Sequence, residues 1–145
     1  MSAPINFARV IEDATLTRAE VAALMPAAGT GAIHLVGCDL EEADLGGLNL
    51  AGWRFDRCNL RRADLSNANL DVTQWLGCRG PFAKFFNADL SDAVIQSCDF
   101  NNANLRSARL TGARVTGSKL TGADPKGHSL RLIWCAVKAR EVIMK

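Results

Sequence analysis

The residues best suited to chemistry are the cysteines, because a thiolate is a nucleophile, a metal ligand and half of a disulfide. Cys38, Cys58, Cys78 and Cys98 stand twenty residues apart, and Ser118 is next in the same series. His34 and His128 are the only histidines, and so the only groups whose ordinary pKa suits acid–base work near neutrality. Arg57, Arg61 and Arg62 could hold an anion, and Gly112, Gly117 and Gly122 form a glycine series. Whether any of these can act together depends on how the chain positions them.

The chain between Ile33 and Gly122 runs in eighteen five-residue units whose third position falls on every residue number divisible by five. Seventeen of the eighteen residues at that position, from Leu35 to Leu120, are large and apolar; Gly80 is the exception. Two residues earlier stands a small residue in fifteen units: nine Ala, four Cys, Thr73 and Ser118. A period of five belongs neither to a helix, at 3.6, nor to a strand, at 2. It marks a solenoid. Short extended segments separated by bends close a square coil of four units, with the large and small residues inward and the other three positions facing water. Coils stacked at about 4.8 Å give a rod about 20 Å long. Four units to a turn also account for the second period, the twenty that separates the cysteines.

This geometry decides the chemistry. Sulfurs in file at about 4.8 Å cannot converge on one zinc ion, which needs four ligands at about 2.3 Å. In-register parallel side chains also disfavour the disulfide dihedral near about 90°. The four cysteines therefore read as a structural core column of small hydrophobes. His34 and His128 lie at opposite ends of the rod and form no pair. The recurrent Asp residues sit where a short side chain can bond backbone at a bend, and the glycine series fits tight corners rather than a phosphate loop. No catalytic residue, cofactor site or metal site is expected.

Units such as Ala43-Asp44-Leu45, Cys58-Asn59-Leu60, Ala63-Asp64-Leu65, Ala68-Asn69-Leu70, Ala88-Asp89-Leu90 and Ala103-Asn104-Leu105 resemble the A(D/N)LXX signature of pentapeptide repeat proteins. The resemblance implies an all-β solenoid, a right-handed quadrilateral β-helix of about 4.5 coils. A short N-terminal helical cap (1–32) precedes it and a C-terminal capping helix (123–145) follows. In several members of that family the C-terminal element also joins two rods, which makes Leu130, Ile133, Trp134 and Val137 candidates for a cap or for a homodimer contact. An extended conformation over 130–137 is the alternative.

At the N-terminus the five-residue period is absent from Met1 to Thr30. Thr17-Arg18-Ala19-Glu20 has the spacing of a capping box for a short helix ending at Pro26. Asn6 to Glu12 is a strand or another helical turn. Two places strain the repeat. Ile33, Leu48 and Trp53 are large for the small inner column, so that the first coil is wider or Trp53 swings outward. Gly80-Pro81 removes one inward side chain and one ladder donor, which predicts a bulge or a pocket, with Phe82 folding in as one way to fill it.

Formal charge is +2. It is divided along the axis: residues 33–72 hold four basic and seven acidic residues, and residues 73–122 hold six and three. A near-neutral chain argues against a strong nucleic-acid binder and against a strongly acidic mimic of nucleic acid. The N-terminus lacks a signal-peptide pattern, and no run approaches the roughly 18 apolar residues of a membrane span. A soluble cytoplasmic protein is expected, with a secreted effector as the alternative.

Two sets of outward residues are candidates for an interaction surface: the apolar group Val72, Leu76, Phe82 and Phe86, and the basic group Arg106, Arg109, Arg114 and Lys119. Exposed apolar clusters mark interfaces. The expected function is a non-enzymatic protein–protein interaction or scaffold protein with an unknown protein partner. The alternative that the resemblance implies is a DNA-mimicking protein that binds a type II topoisomerase such as gyrase and confers resistance to quinolones or peptide toxins. A continuous acidic wall would support that alternative.

Overall fold

The computed structural model describes residues 7–24 and 32–120. Six short strands lie in one parallel sheet in chain order: β1 (Phe7–Glu12), β2 (Ala32–Val36), β3 (Arg54–Asp56), β4 (Gln74–Leu76), β5 (Val94–Gln96) and β6 (Arg114–Thr116). One helix, α1 (Arg18–Ala23), lies between β1 and β2. From β2 onward each strand pairs with the residue twenty positions ahead, as Leu35 with Phe55 and Trp75 with Ile95. The sheet is the first of four walls. Bridges with the same offset run up the second wall (Asp39, Asn59, Arg79, Asp99, Lys119), the third (Asp44, Asp64, Lys84, Asn104) and the fourth (Asn49, Asn69, Asp89, Arg109). The architecture is the right-handed quadrilateral β-helix.

Each unit makes its own corner. On the second wall the amide of Ala43 donates to Leu40 O at 3.0 Å, and the residue between them, Glu42, has φ +57°. The amide at the preceding turn position has no ladder partner. It is taken by the short side chain two residues before it: Glu41 N–H donates to Asp39 Oδ1 (3.0 Å) and Ser66 N–H to Asp64 Oδ1 (2.9 Å). This is why Asp and Asn recur before the inward leucine. The first-wall corner differs, since the chain bends there without the i to i+3 bond. Thiols bond the carbonyls instead: Cys58 Sγ donates to Leu35 O (3.4 Å) and Cys78 Sγ to Phe55 O (3.1 Å). The cysteines recur every twenty residues because only one corner in four has this form.

The interior is filled by Leu35, Leu40, Leu45 and their successors, all buried. Trp53 is inside, only 2 % exposed, so the outward alternative is overturned; Ile33 is buried with it and Leu48 is partly so. Gly80-Pro81 makes no bulge, and Phe82 does not fold in, being 50 % exposed. The ladder passes straight through, from Gly80 N–H to Asp99 O at 2.6 Å and from Phe82 N–H to Asn101 O at 2.9 Å. Two facts explain this. Pro81 occupies the turn position whose amide bonds a side chain rather than the ladder, and Arg79 supplies no oxygen for it, so a missing donor costs nothing there. The space above Gly80 is taken by the Phe100 ring from the next coil, whose Cε1 would lie 2.6 Å from a Cβ at residue 80.

That ring belongs to an aromatic core. Phe55 and Trp75 stack at 4.0 Å, and Trp75, Phe85 and Phe100 meet edge to face at 5.3–5.9 Å. Trp75 is fully buried, and its indole N–H is satisfied by Thr73 Oγ1 at 2.8 Å, which itself donates to Leu70 O at 2.6 Å. Thr73 replaces the usual Ala because a buried indole needs an acceptor.

The ladder also starts earlier than expected. β1 pairs with β2 in the order Ile11–Leu35, and Thr15 bridges Asp39. Ile11 packs against the core, and Leu16 and Val21 are buried. These three are five apart, so the period does extend into the N-terminal segment, in a frame shifted by one residue number. Asp13 at φ +52° makes the first-wall corner as Gly37 does at +61°. The helix then replaces a wall. Thr17 accepts from Glu20 N–H at its start, and Arg18 Nη1 donates to Gly46 O at 2.9 Å and Asp44 O at 3.2 Å, which ties the cap to the third wall. Leu130, Ile133, Trp134 and Val137, expected to cap the rod or join two rods, lie outside the described residues, as do His128 and Cys135.

Candidate functional site

The twenty-residue register distributes the two candidate sets in a way the linear sequence hides. Residues share a column only when they differ by twenty, so Val72, Leu76, Phe82 and Phe86 belong to four different corners of one coil. They form a ring around the tube rather than a patch on one wall. Phe82 and Phe86 flank the third wall, with Lys84 between them, and Val72 and Leu76 flank the first, with Gln74 between them. Arg106, Arg109, Arg114 and Lys119 are likewise dispersed: Arg109, Arg114 and Lys119 stand on the fourth, first and second walls, and Arg106 at a corner of the third. They make a collar near the end of the described rod, not a row.

Val72, Phe82 and Phe86 are 53 %, 50 % and 43 % exposed, while Leu76 is half-buried. Val72 and Phe82 also have φ of +61°. The left-handed region costs an ordinary L-residue about 1–2 kcal/mol, and a β-branched one is most disfavoured there. In its column Val72 has Gly52, Asp92 and Gly112 as counterparts. Val72→Asn is therefore expected to stabilise the protein by about 1 kcal/mol, read as a raised urea midpoint with unchanged slope, because the half-exposed valine gives up little packing. An unchanged or lowered midpoint would show that the valine makes contacts worth its strain.

The corner between the second and third walls stacks Glu42, Arg62, Phe82 and Asn102. The Arg62 guanidinium lies over the Phe82 ring, 5.6 Å from its centroid. An open groove beside them is lined by Glu42, Arg62, Phe82, Lys84 and Asn104. The short acidic side chains of these walls are engaged at the turns: Asp39, Asp64 and Asp99 each accept a turn amide, and Asp44 accepts Gly46 N–H and meets Arg18. Burial alone would raise the Asp64 carboxyl. The bonds from Ser66 and the Lys84 charge outweigh that and hold it below the usual carboxylate range.

Of the arginines near this corner, Arg57 pairs with Asp56 and Arg61 with Glu41, both at 3.2 Å. Arg62 and Lys84 have no ion-pair partner among the described residues. His34 is on the first wall, half-buried, with Asp56 Oδ2 3.8 Å from Nε2; burial and the adjacent Arg54 lower its pKa. The four cysteines of the column are buried free thiols, and burial pushes Cys38 up. Among the described residues no group of His, Cys, Asp and Glu converges to hold a metal ion, and no helix is long and apolar enough to cross a membrane.

The family model for pentapeptide repeats matches residues 34–71 and 83–124 in eight copies. The chain is a pentapeptide repeat protein. Similar solved structures include pentapeptide repeat proteins from two cyanobacteria. Rfr23 of Cyanothece 51142 is 17 % identical over 83 % of this chain and 84 % of that one, with a TM-score of 0.60. For alr5209 of Nostoc Pcc 7120 the values are 25 %, 84 %, 93 % and 0.53. QnrB1, a plasmid-mediated fluoroquinolone resistance protein, is 21 % identical over 82 % of this chain and 71 % of that one, and its TM-score of 0.34 is too low to carry an argument. No curated protein matches the sequence. In this pentapeptide repeat protein the unmatched stretch between residues 71 and 83 holds Val72, Thr73, Trp75, Gly80, Pro81 and Phe82. The sequence leaves the family pattern where the backbone keeps its register.

Proposed function

We propose that this is a non-enzymatic interaction protein of the cytoplasm whose rod presents the third wall, with Phe82 and Phe86 at its margins, to a protein partner. What carries the reading is Phe82: a large apolar residue, half exposed, at a left-handed corner position that Asn fills at residue 102 without strain to the repeat. The fold gains from the phenyl ring only the exposed Arg62 contact, about 0.5–1 kcal/mol, and exposed apolar groups of this kind mark contact surfaces. The doubly substituted Phe82→Asn, Phe86→Ala protein is expected to melt within a few degrees of the parent and to lose the partner that the parent crosslinks in native lysate. Retention of every crosslinked species would end this reading. The topoisomerase alternative has less support, since the third wall runs Asp44, Asp64, Lys84, Asn104 and the second mixes both signs, so neither is a continuous acidic face. A gyrase supercoiling assay with and without the protein tests it directly.

A further inference from the structure

We infer that the groove at the corner of the second and third walls binds an acidic peptide segment bearing an apolar side chain, with Phe82 as the apolar contact and Arg62 and Lys84 as the carboxylate contacts. The inference rests on the interaction reading above and adds the partner's chemistry. Charge decides the sign. Asp44 and Asp64 near the groove are short and each accepts a turn amide, whereas Arg62 and Lys84 are long, exposed and without an ion-pair partner among the described residues. Glu42 marks one end of the groove, where a partner residue would be neutral or basic.

Size favours a segment over a second rod. The third wall has four rungs, which at about 4.8 Å each and one short strand across offers roughly 300 Å². A stable interface buries about 800 Å² per partner. Single-stranded nucleic acid would also seek cations beside an aromatic ring. Here one ring face of Phe82 is already covered by Arg62, and no second aromatic ring lines the groove for successive bases to stack on.

The test is fluorescence anisotropy of the full chain with a labelled peptide of alternating glutamate and phenylalanine. Companion probes are a peptide with lysine in place of glutamate, one with serine in place of phenylalanine, and an oligothymidine. Binding of the first peptide alone is expected, weakened as salt rises from about 50 to about 500 mM. Arg62→Glu and Lys84→Glu, both on exposed side chains, are each expected to weaken it about tenfold or more. Phe82→Asn should do the same. Equal binding of the lysine peptide, stronger binding of oligothymidine, or indifference to the two charge reversals would overturn the inference. If the acidic peptide fails to bind while Phe82→Asn, Phe86→Ala still abolishes the lysate crosslink, the partner chemistry is wrong and the interaction reading stands.

Discussion

Gly80→Leu, which restores the residue the repeat uses at this position, is expected to destabilise the protein by about 3 kcal/mol or more. A Cβ at residue 80 would sit 2.6 and 2.7 Å from Phe100 Cε1 and Cδ1, and 3.5 Å from Leu60 Cβ. The ring cannot simply retreat, because it is held edge to face against Trp75 at 5.9 Å and Phe85 at 5.3 Å. Three aromatic residues in two adjoining coils overfill a tube of fixed width, and the absent side chain at residue 80 is the volume that admits them. The companion Phe100→Leu, added to Gly80→Leu, restores the ordinary filling. It should bring stability back to within about 1–2 kcal/mol of the parent, a non-additivity typical of residues in contact. Urea unfolding of the two single variants and the double variant measures this. A Gly80→Leu protein as stable as the parent would show that the space is not shared.

Thr73→Val is expected to cost about 2 kcal/mol although the two side chains have the same shape. The hydroxyl is buried between two groups that need it, accepting from Trp75 Nε1 at 2.8 Å and donating to Leu70 O at 2.6 Å. Valine leaves the indole N–H unsatisfied in a fully buried place, and the penalty for an orphaned buried donor is about 1–3 kcal/mol. Thr73→Ser keeps the oxygen and should lose less. Combined with Trp75→Phe, Thr73→Val should lose little beyond what Trp75→Phe loses alone, since no indole remains to be orphaned. Equal costs in the two backgrounds would place the effect elsewhere.

Thr73, Trp75, Gly80 and Phe100 thus act as one device, and none of it was legible from the repeat alone. The sequence shows that Gly80 breaks a column of large residues; it does not show that a ring from twenty residues onward fills the gap, because that depends on which way Phe100 leans. The expected bulge failed for a related reason. A proline is a fault only where its amide would have joined the ladder, and amide roles alternate around each corner. A strand at residues 6–12 was one of two expected conformations, but its place in the repeat was missed through its frame. Ile11, Leu16 and Val21 keep the five-residue spacing, and a search anchored to multiples of five passes over them.

The candidate surface shows the same division. Val72, Leu76, Phe82 and Phe86 are neighbours along the chain, and a coil of four corners sends each to a different one. What the chain brings together instead is Glu42, Arg62 and Phe82, twenty apart, with Lys84 and Asn104 alongside. Arithmetic on the twenty-residue period could have grouped the first three; the placement of the guanidinium on the ring could not have been counted.

By itself the sequence determined the path of the backbone. A large residue every fifth position and a small one two before it have only one shared solution, a square coil, and the cysteines at every twentieth residue fixed four units to the turn. Only the tertiary structure decided how unequal side chains share that tube and which outward ones meet. Periodicity specifies direction, inward or outward, for each residue in turn. Volume, ring orientation and hydrogen-bond supply are properties of stacked coils, and they exist only once residues twenty apart have come into contact.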